Sequence, residues 1–108
     1  MQRVNVASLA RFADDKMQKV TLFDNPRFFC DVYCLKPGQA QRVHSHRDAD
    51  KVYYVLDGRA TVQVGEEEDV VEAGVAVLAP AGSAHGVSNR SADPLTLLVF
   101  MAPQTSHR

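Results

Sequence analysis

At 108 residues the chain is long enough for one domain and too short for two, and a hydrophobic content of 45% supports a packed core rather than wholesale disorder. With 12 basic against 13 acidic residues the formal net charge is −1, and no basic patch or tail stands out, which argues against nucleic acid or an anionic membrane surface as a partner. The longest mostly apolar run is far too short to span a bilayer, and residues 1–15 lack a continuous apolar stretch of signal-peptide length, so the sequence predicts a cytoplasmic protein.

Residues 1–18 read as an N-terminal arm. Val4, Val6, Leu9 and Phe12 give it apolar positions that predict packing on the main body or on a partner subunit, as a short helical turn or an irregular arm. From Lys19 the pattern becomes one of short strands. KVTLF ends in an Asp24-Asn25-Pro26 turn, where proline presets the bend and the Asx side chains can bond nearby backbone. RFFCDVYCL is aromatic and β-branched, as a half-buried strand should be. Its two cysteines, Cys30 and Cys34, then share a face but stand roughly 13 Å apart along the strand, beyond the reach of a disulfide. Both are expected to be reduced packing residues, as in a cytoplasmic protein. Pro37-Gly38 turns the chain into QAQRVHSH, and KVYYVLDG, RATVQV, DVVEA, VAVLA, AHGVS and LTLLVFM follow at short spacing. Asp57-Gly58 is a strong hairpin signal, because such a turn needs positive φ. The acidic run Glu66 to Asp69 reads as a solvated hairpin tip. No segment after residue 18 keeps a helical period over three turns. About eight short strands separated by turns predict an antiparallel sandwich or barrel over residues 19–102, followed by a polar tail at 103–108 in which His107 is solvated.

The chemistry concentrates in two blocks. Gly38 to Gly58 carries His44 and His46 one residue apart, a spacing that sends both imidazoles to one face of an extended chain. Two such imidazoles make half of a metal site, since neutral imidazole is the commonest nitrogen ligand for zinc, iron, copper and nickel. Gly74 to Asn89 supplies His85 after a Pro-x-Gly turn. Together the blocks resemble the two motifs of the cupin superfamily, G-x5-H-x-H-x3,4-E-x6-G and G-x5-P-x-G-x2-H-x3-N. The second is matched at Gly74, Pro80, Gly82, His85 and Asn89, and the first at Gly38, His44, His46 and Gly58. The glutamate position of the first motif holds Lys51.

The resemblance covers residues 35–101 and implies an all-β double-stranded β-helix, a jelly-roll or cupin barrel, with a metal pocket inside. It implies His44, His46 and His85 as ligands of a divalent transition metal such as iron, manganese, nickel or zinc, and an interior position for residue 51. By strand parity Tyr53 and Val55 share the face of Lys51, while Val52, Tyr54 and Leu56 pack behind it. Lys51, Tyr53 and Tyr33 are therefore the candidate ligand-pocket residues. Tyr33, Tyr53, Phe28 and Phe100 read as core or pocket wall rather than as catalytic groups, and no catalytic residue stands out.

An ammonium group facing a dication leaves three outcomes open. Lys51 swings away from a three-histidine site, or it holds a carboxylate or phosphate of a substrate beside the metal, or the pocket has lost its metal and binds an organic anion. Asp50 is a candidate substitute ligand if the strand bulges there. The expected function is that of a metal-dependent enzyme of dioxygenase, isomerase or lyase type acting on a small polar or anionic organic molecule. The alternative is a non-catalytic module that binds or senses a sugar or carboxylate. Small cupins often pair through N-terminal strands at a sheet edge, so a homodimer is expected.

Overall fold

The computed structural model describes residues 1–104; His107 and the last part of the tail lie outside the described residues. One helical turn, α1 (Val6–Leu9), precedes nine strands: β1 (Gln18–Asn25), β2 (Phe28–Leu35), β3 (Ala40–Ser45), β4 (Asp50–Asp57), β5 (Arg59–Val64), β6 (Glu67–Glu72), β7 (Ala76–Ala79), β8 (Ala84–Ser88) and β9 (Leu95–Ala102). The strands form two antiparallel sheets, ordered β1-β2-β9-β4-β7 and β3-β8-β5-β6. The fold is the all-β double-stranded β-helix that the motifs imply.

β9 lies at the centre of the larger sheet and sets its two faces. Leu95, Leu97, Val99 and Met101 point inward and are fully buried, each stabilising the fold by roughly 1.5–3 kcal/mol if the transfer is complete. Across the sheet they continue rows of core residues: Phe29, Tyr33 and Leu35 from β2, and Tyr53 and Val55 from β4. Val62 and Val87 close the core from the smaller sheet. The outer face is also apolar. Phe23, Cys30, Phe100, Val52 and Leu78 form one row across all five strands, and Val20, Val32, Leu98, Tyr54 and Ala76 form the next. Phe28 and Phe100 belong to this outer face, with ring centroids 5.2 Å apart, and not to the core or pocket wall that the sequence suggested. Their parity follows the outward residues of their strands.

The chain enters through a two-residue turn at Pro26-Arg27, where the Asn25 carboxamide oxygen accepts from the Arg27 and Phe28 backbone N–H groups at 2.9 and 3.2 Å. From β3 onward it crosses between the sheets at every connection except the β5–β6 hairpin. Asp57-Gly58 is accordingly not the hairpin that its composition predicts. β4 belongs to one sheet and β5 to the other, so Gly58 is a corner. Its φ is +91°, and a Cβ there would stand 2.4 Å from the Pro94 carbonyl oxygen, so glycine is needed on both counts. The acidic run likewise lies mostly in a strand. Only Glu66 is in the turn, while Glu67, Glu68 and Asp69 open β6, the edge strand that pairs with β5 alone. Exposed charge on such an edge discourages pairing with another chain.

The arm adopts its helical turn at α1, capped by Asn5, whose side chain accepts from the Ser8 N–H at 3.2 Å. Further along, the Gln39 side-chain amide donates to the Ala13 carbonyl at 2.7 Å, and Lys36 pairs with Asp14. Val6, Ala7, Ala10 and Phe12 then face Val32, Leu56 and Thr96 across a groove of about 560 Å³ on the outer face of the larger sheet.

Candidate metal centre

His44 lies on β3 and His85 on β8, directly opposite each other in the antiparallel register, while His46 follows one residue after β3 ends. The Pro80–Gly82 turn is tied to the first block at two points. The Gly82 N–H donates to the His46 carbonyl at 2.8 Å, and the Ala81 N–H donates to the Asp50 carboxylate at 2.8 Å. Asp50 is exposed and held by that turn, outside the histidine cluster, so it is not a substitute ligand. The parity of β4 decides this, since Lys51 takes the inward position.

The three imidazoles converge. Their ligand atoms lie within 4.8 Å of one another, and the ring centroids of His44 and His85 are 4.5 Å apart. Nδ1 of His44 lies 2.7 Å from the Arg42 carbonyl, and Nδ1 of His85 lies 3.1 Å from the Ser83 carbonyl. A carbonyl can only accept, so each Nδ1 carries the proton and each Nε2 presents a lone pair, the arrangement that orients histidines on metals. Nε2 of His85 is buried and has no hydrogen-bond partner in the protein, although buried polar atoms are seldom left unpaired. Burial lowers the His85 pKa to about 4, helped by the charge of Lys51 and the neighbouring histidines. Burial also lowers that of His44, with the Arg42 carbonyl opposing and Lys51 and Lys19 assisting. Both rings are thus neutral donors at pH 7.

Lys51 lies beside this cluster and faces inward, only 1% exposed. Its Nζ is 5.3 Å from the centre of the Tyr53 ring and 5.4 Å from that of Tyr33, within the range where an ammonium is attracted to an aromatic face. Burial brings its pKa down to about 7, the Lys19 charge adds to the effect, and Asp31 opposes it. Gln41 ties the group together. Its Nε2 donates to the Tyr33 hydroxyl at 3.0 Å, and its Oε1 accepts from the Tyr53 hydroxyl at 2.9 Å and faces Lys51 Nζ at 3.5 Å. The Tyr53 pKa is raised by burial and by Tyr33, which keeps its hydroxyl protonated and donating.

The Cupin domain family matches residues 31–101. The chain belongs to the cupin family. Its fold is similar over 97% of its length to the TT1209 protein from Thermus thermophilus, with 48% identity, a TM-score of 0.95 and all of that chain covered. An RmlC-like cupin protein from Desulfovibrio desulfuricans is similar at 27% identity and a TM-score of 0.83, over 95% of this chain and 97% of that one. In sequence, the uncharacterized protein SCO3923 from Streptomyces coelicolor is 38% identical over 74 residues, which is 68% of this chain and 70% of that protein.

Within this cupin the last motif residue is structural. Asn89 is fully buried, donates through Nδ2 to the Leu35 and Asp93 carbonyls at 3.0 and 2.7 Å, and accepts the Ser91 N–H at 3.0 Å. Three inward polar residues escaped the sequence reading. Asp31, fully buried, shares the inner face of β2 with Tyr33, and its place two residues before that tyrosine could have revealed it. Gln41 and Lys19 could not be found by counting. β3 contains an extra residue between Gln41 and His44 relative to β8, and β1 contains one between Thr21 and Phe23 relative to β2. Each bulge reverses the parity beyond it and turns the polar residue inward. Gly86 lies opposite the β3 bulge, where a Cβ would come within 3.1 Å of the Gln41 carbonyl oxygen and the Val43 Cα, so a side chain there would press on the bulge.

Proposed function

We propose that this cupin holds one divalent transition metal through Nε2 of His44 and His85 together with His46, and uses the pocket beside it for a small anionic organic ligand. The buried, unpartnered His85 Nε2 carries this reading, because a lone pair with no protein donor in reach suits a cation. A bound metal in such a site supplies Lewis-acid or redox chemistry, with positions left open for ligand. The protein's own part is to fix the rings through the Arg42 and Ser83 carbonyls, to present the Lys51 ammonium and the Tyr53 hydroxyl, and to keep water out with Tyr33 and the apolar wall. An enzyme of dioxygenase, isomerase or lyase type is the activity that these groups fit. Metal analysis of protein purified without an affinity tag should find close to one equivalent of iron, manganese, nickel or zinc per chain. Less than a tenth of an equivalent, with none taken up on reconstitution, would rule the metal site out.

The second reading is a non-catalytic binding module for a sugar or carboxylate, possessing no metal. The inward ammonium of Lys51, standing where the family motif has a glutamate, favours it, since that charge opposes a dication. A ligand that raises the melting temperature of metal-free protein and is recovered chemically unchanged would support this module.

We also propose a cytoplasmic homodimer. Both cysteines are free thiols, as in a reducing compartment, and no helix among the described residues is long and apolar enough to cross a membrane. The two outer rows of the larger sheet contain no charged residue, yet Leu78 is 57% exposed, Phe100 38% and Tyr54 36%. A second copy related by a two-fold axis would lay the same rows against these, as sheets pack face to face at about 10 Å, with the arm at the margin. Light scattering at micromolar concentration should give about twice the chain mass of 11.9 kDa, and a monomer would exclude the pairing.

A further inference from the structure

The outer face of the smaller sheet carries a hollow of about 220 Å³, on the side away from the histidines. Strand parity builds it. Ala60 and Val62 of β5 point into the core, so Thr61 and Gln63 point outward, in register with Ser88 and Gly86 of β8. Gly86 presents no side chain, and Arg42, within the β3 bulge opposite it, lines the rim. Thr61 is only 7% exposed although it lies on the solvent side of its sheet. Its hydroxyl has no hydrogen-bond partner among the described residues, and buried polar groups are seldom left so. The charges supply a second observation. Of the charged residues lining the hollow, Arg90 donates to Glu68 at 2.9 Å, whereas the Arg42 guanidinium makes no ion pair among the described residues. One unbalanced positive charge thus stands beside one unsatisfied hydroxyl.

We propose that this hollow binds a small hydroxy monocarboxylate, with its carboxylate on the Arg42 guanidinium and its hydroxyl on Thr61. A guanidinium is a planar fork that matches a carboxylate through two parallel hydrogen bonds. The Thr61 hydroxyl both donates and accepts, so it pairs with an alcohol that a plain acid does not offer. One net charge is met by one carboxylate, and a second would exceed it beside Glu68. At about 30 Å³ for each water displaced, the hollow has room for an acid of about three or four carbons. The site is independent of the metal reading, because the histidines lie on the opposite face of the sheet.

The test is a titration followed by backbone amide chemical shifts, using propionate, lactate and glycerate. These acids share a three-carbon chain and differ in their hydroxyls. Wild type, Arg42→Gln, Thr61→Val and Lys51→Met are compared at low salt, as purified and after EDTA. Arg42→Gln keeps the backbone carbonyl that holds His44, and Thr61→Val keeps the β-branched shape that a strand favours. Lactate or glycerate should shift the amides of Thr61, Gln63, Gly86 and Ser88 and bind about three- to tenfold more tightly than propionate. Arg42→Gln should weaken all three acids by about tenfold or more. Thr61→Val should erase the advantage of the hydroxyl and leave propionate unchanged, while Lys51→Met and EDTA should alter none of these affinities. No shifts in the hollow, equal affinities for the three acids, or indifference to either Arg42→Gln or Thr61→Val would overturn the proposal. Binding that is lost in Lys51→Met or in EDTA would overturn it too, because the acid would then occupy the metal pocket.

Discussion

Replacing Lys51 by methionine should stabilise the metal-free protein at pH 7 by about 1–4 kcal/mol, the range found when a buried charge gives way to an apolar side chain of similar volume. The lysine makes no ion pair among the described residues, and its strongest contacts are two aromatic faces and a 3.5 Å approach to Gln41. Burial lowers its pKa from the ordinary 10.5 to about 7, so the folded state resists protonation where the unfolded chain accepts it. Between pH 7 and 10.5 the unfolded state binds more protons, and the stability contributed by this residue rises with pH. Below about 7 both states carry the proton and the penalty is constant. The gap between Lys51→Met and wild type should therefore be widest at or below pH 7 and close as the pH approaches 10.5. Urea denaturation of both proteins in EDTA across that window measures it, and subtracting the two curves removes other groups that titrate there. A methionine variant less stable at pH 7, or a gap that does not change with pH, would contradict the assignment.

The second large effect falls on the metal. Lys51→Glu removes an inward ammonium beside the histidine cluster and supplies a carboxylate at the position where the cupin motif has one. Both changes favour a dication, and the gain in affinity should be at least about tenfold, or 1.4 kcal/mol. The residue's burial on the inner face means that solvent cannot screen the exchange as it would on the surface. Competition titrations of wild type and variant with manganese, iron(II), nickel and zinc read the difference directly. Equal affinities would mean that residue 51 has no electrostatic hold on the three histidines.

How much of this was legible depended on whether a residue's position was set locally. His44, His46 and His85 sit within short motifs whose turns fix them, and the parity from Lys51 to Val55 runs along one unbroken stretch of β4, so counting by twos worked. The same counting failed for Gln41. From His44 it should point away, and it points inward because β3 gains a residue between them. Lys19 failed in the same way: from the Pro26-Arg27 turn an unbroken hairpin would set it opposite Cys34 on the outer face, and the bulge sets it opposite Tyr33 instead. Nothing in the residue types near Leu22 or Arg42 announces a bulge, and the register shifts show only in the pairing of the strands. Asp57-Gly58 was misread for a related reason. Positive φ was correctly expected, but a local signal cannot tell a strand that folds back on its neighbour from one that crosses to the opposite sheet.

The bulges also behave like reading frames. Residues on the turn side of Leu22 keep their facing whatever happens at that position, whereas everything before it depends on a single extra residue. Deleting Leu22 would remove the bulge and leave Lys19 opposite Tyr33, because one residue fewer brings plain alternation from the turn to the same register. One residue inserted between Lys19 and Leu22 would instead set Lys19 opposite Cys34 on the outer face, without altering any side chain that touches the histidines. The inner face beside Tyr33 would then lose a positive charge through a change of length alone. In this fold, then, the facing of a charged residue can be edited by length as readily as by substitution, and a single insertion in β1 does so without touching the histidine cluster.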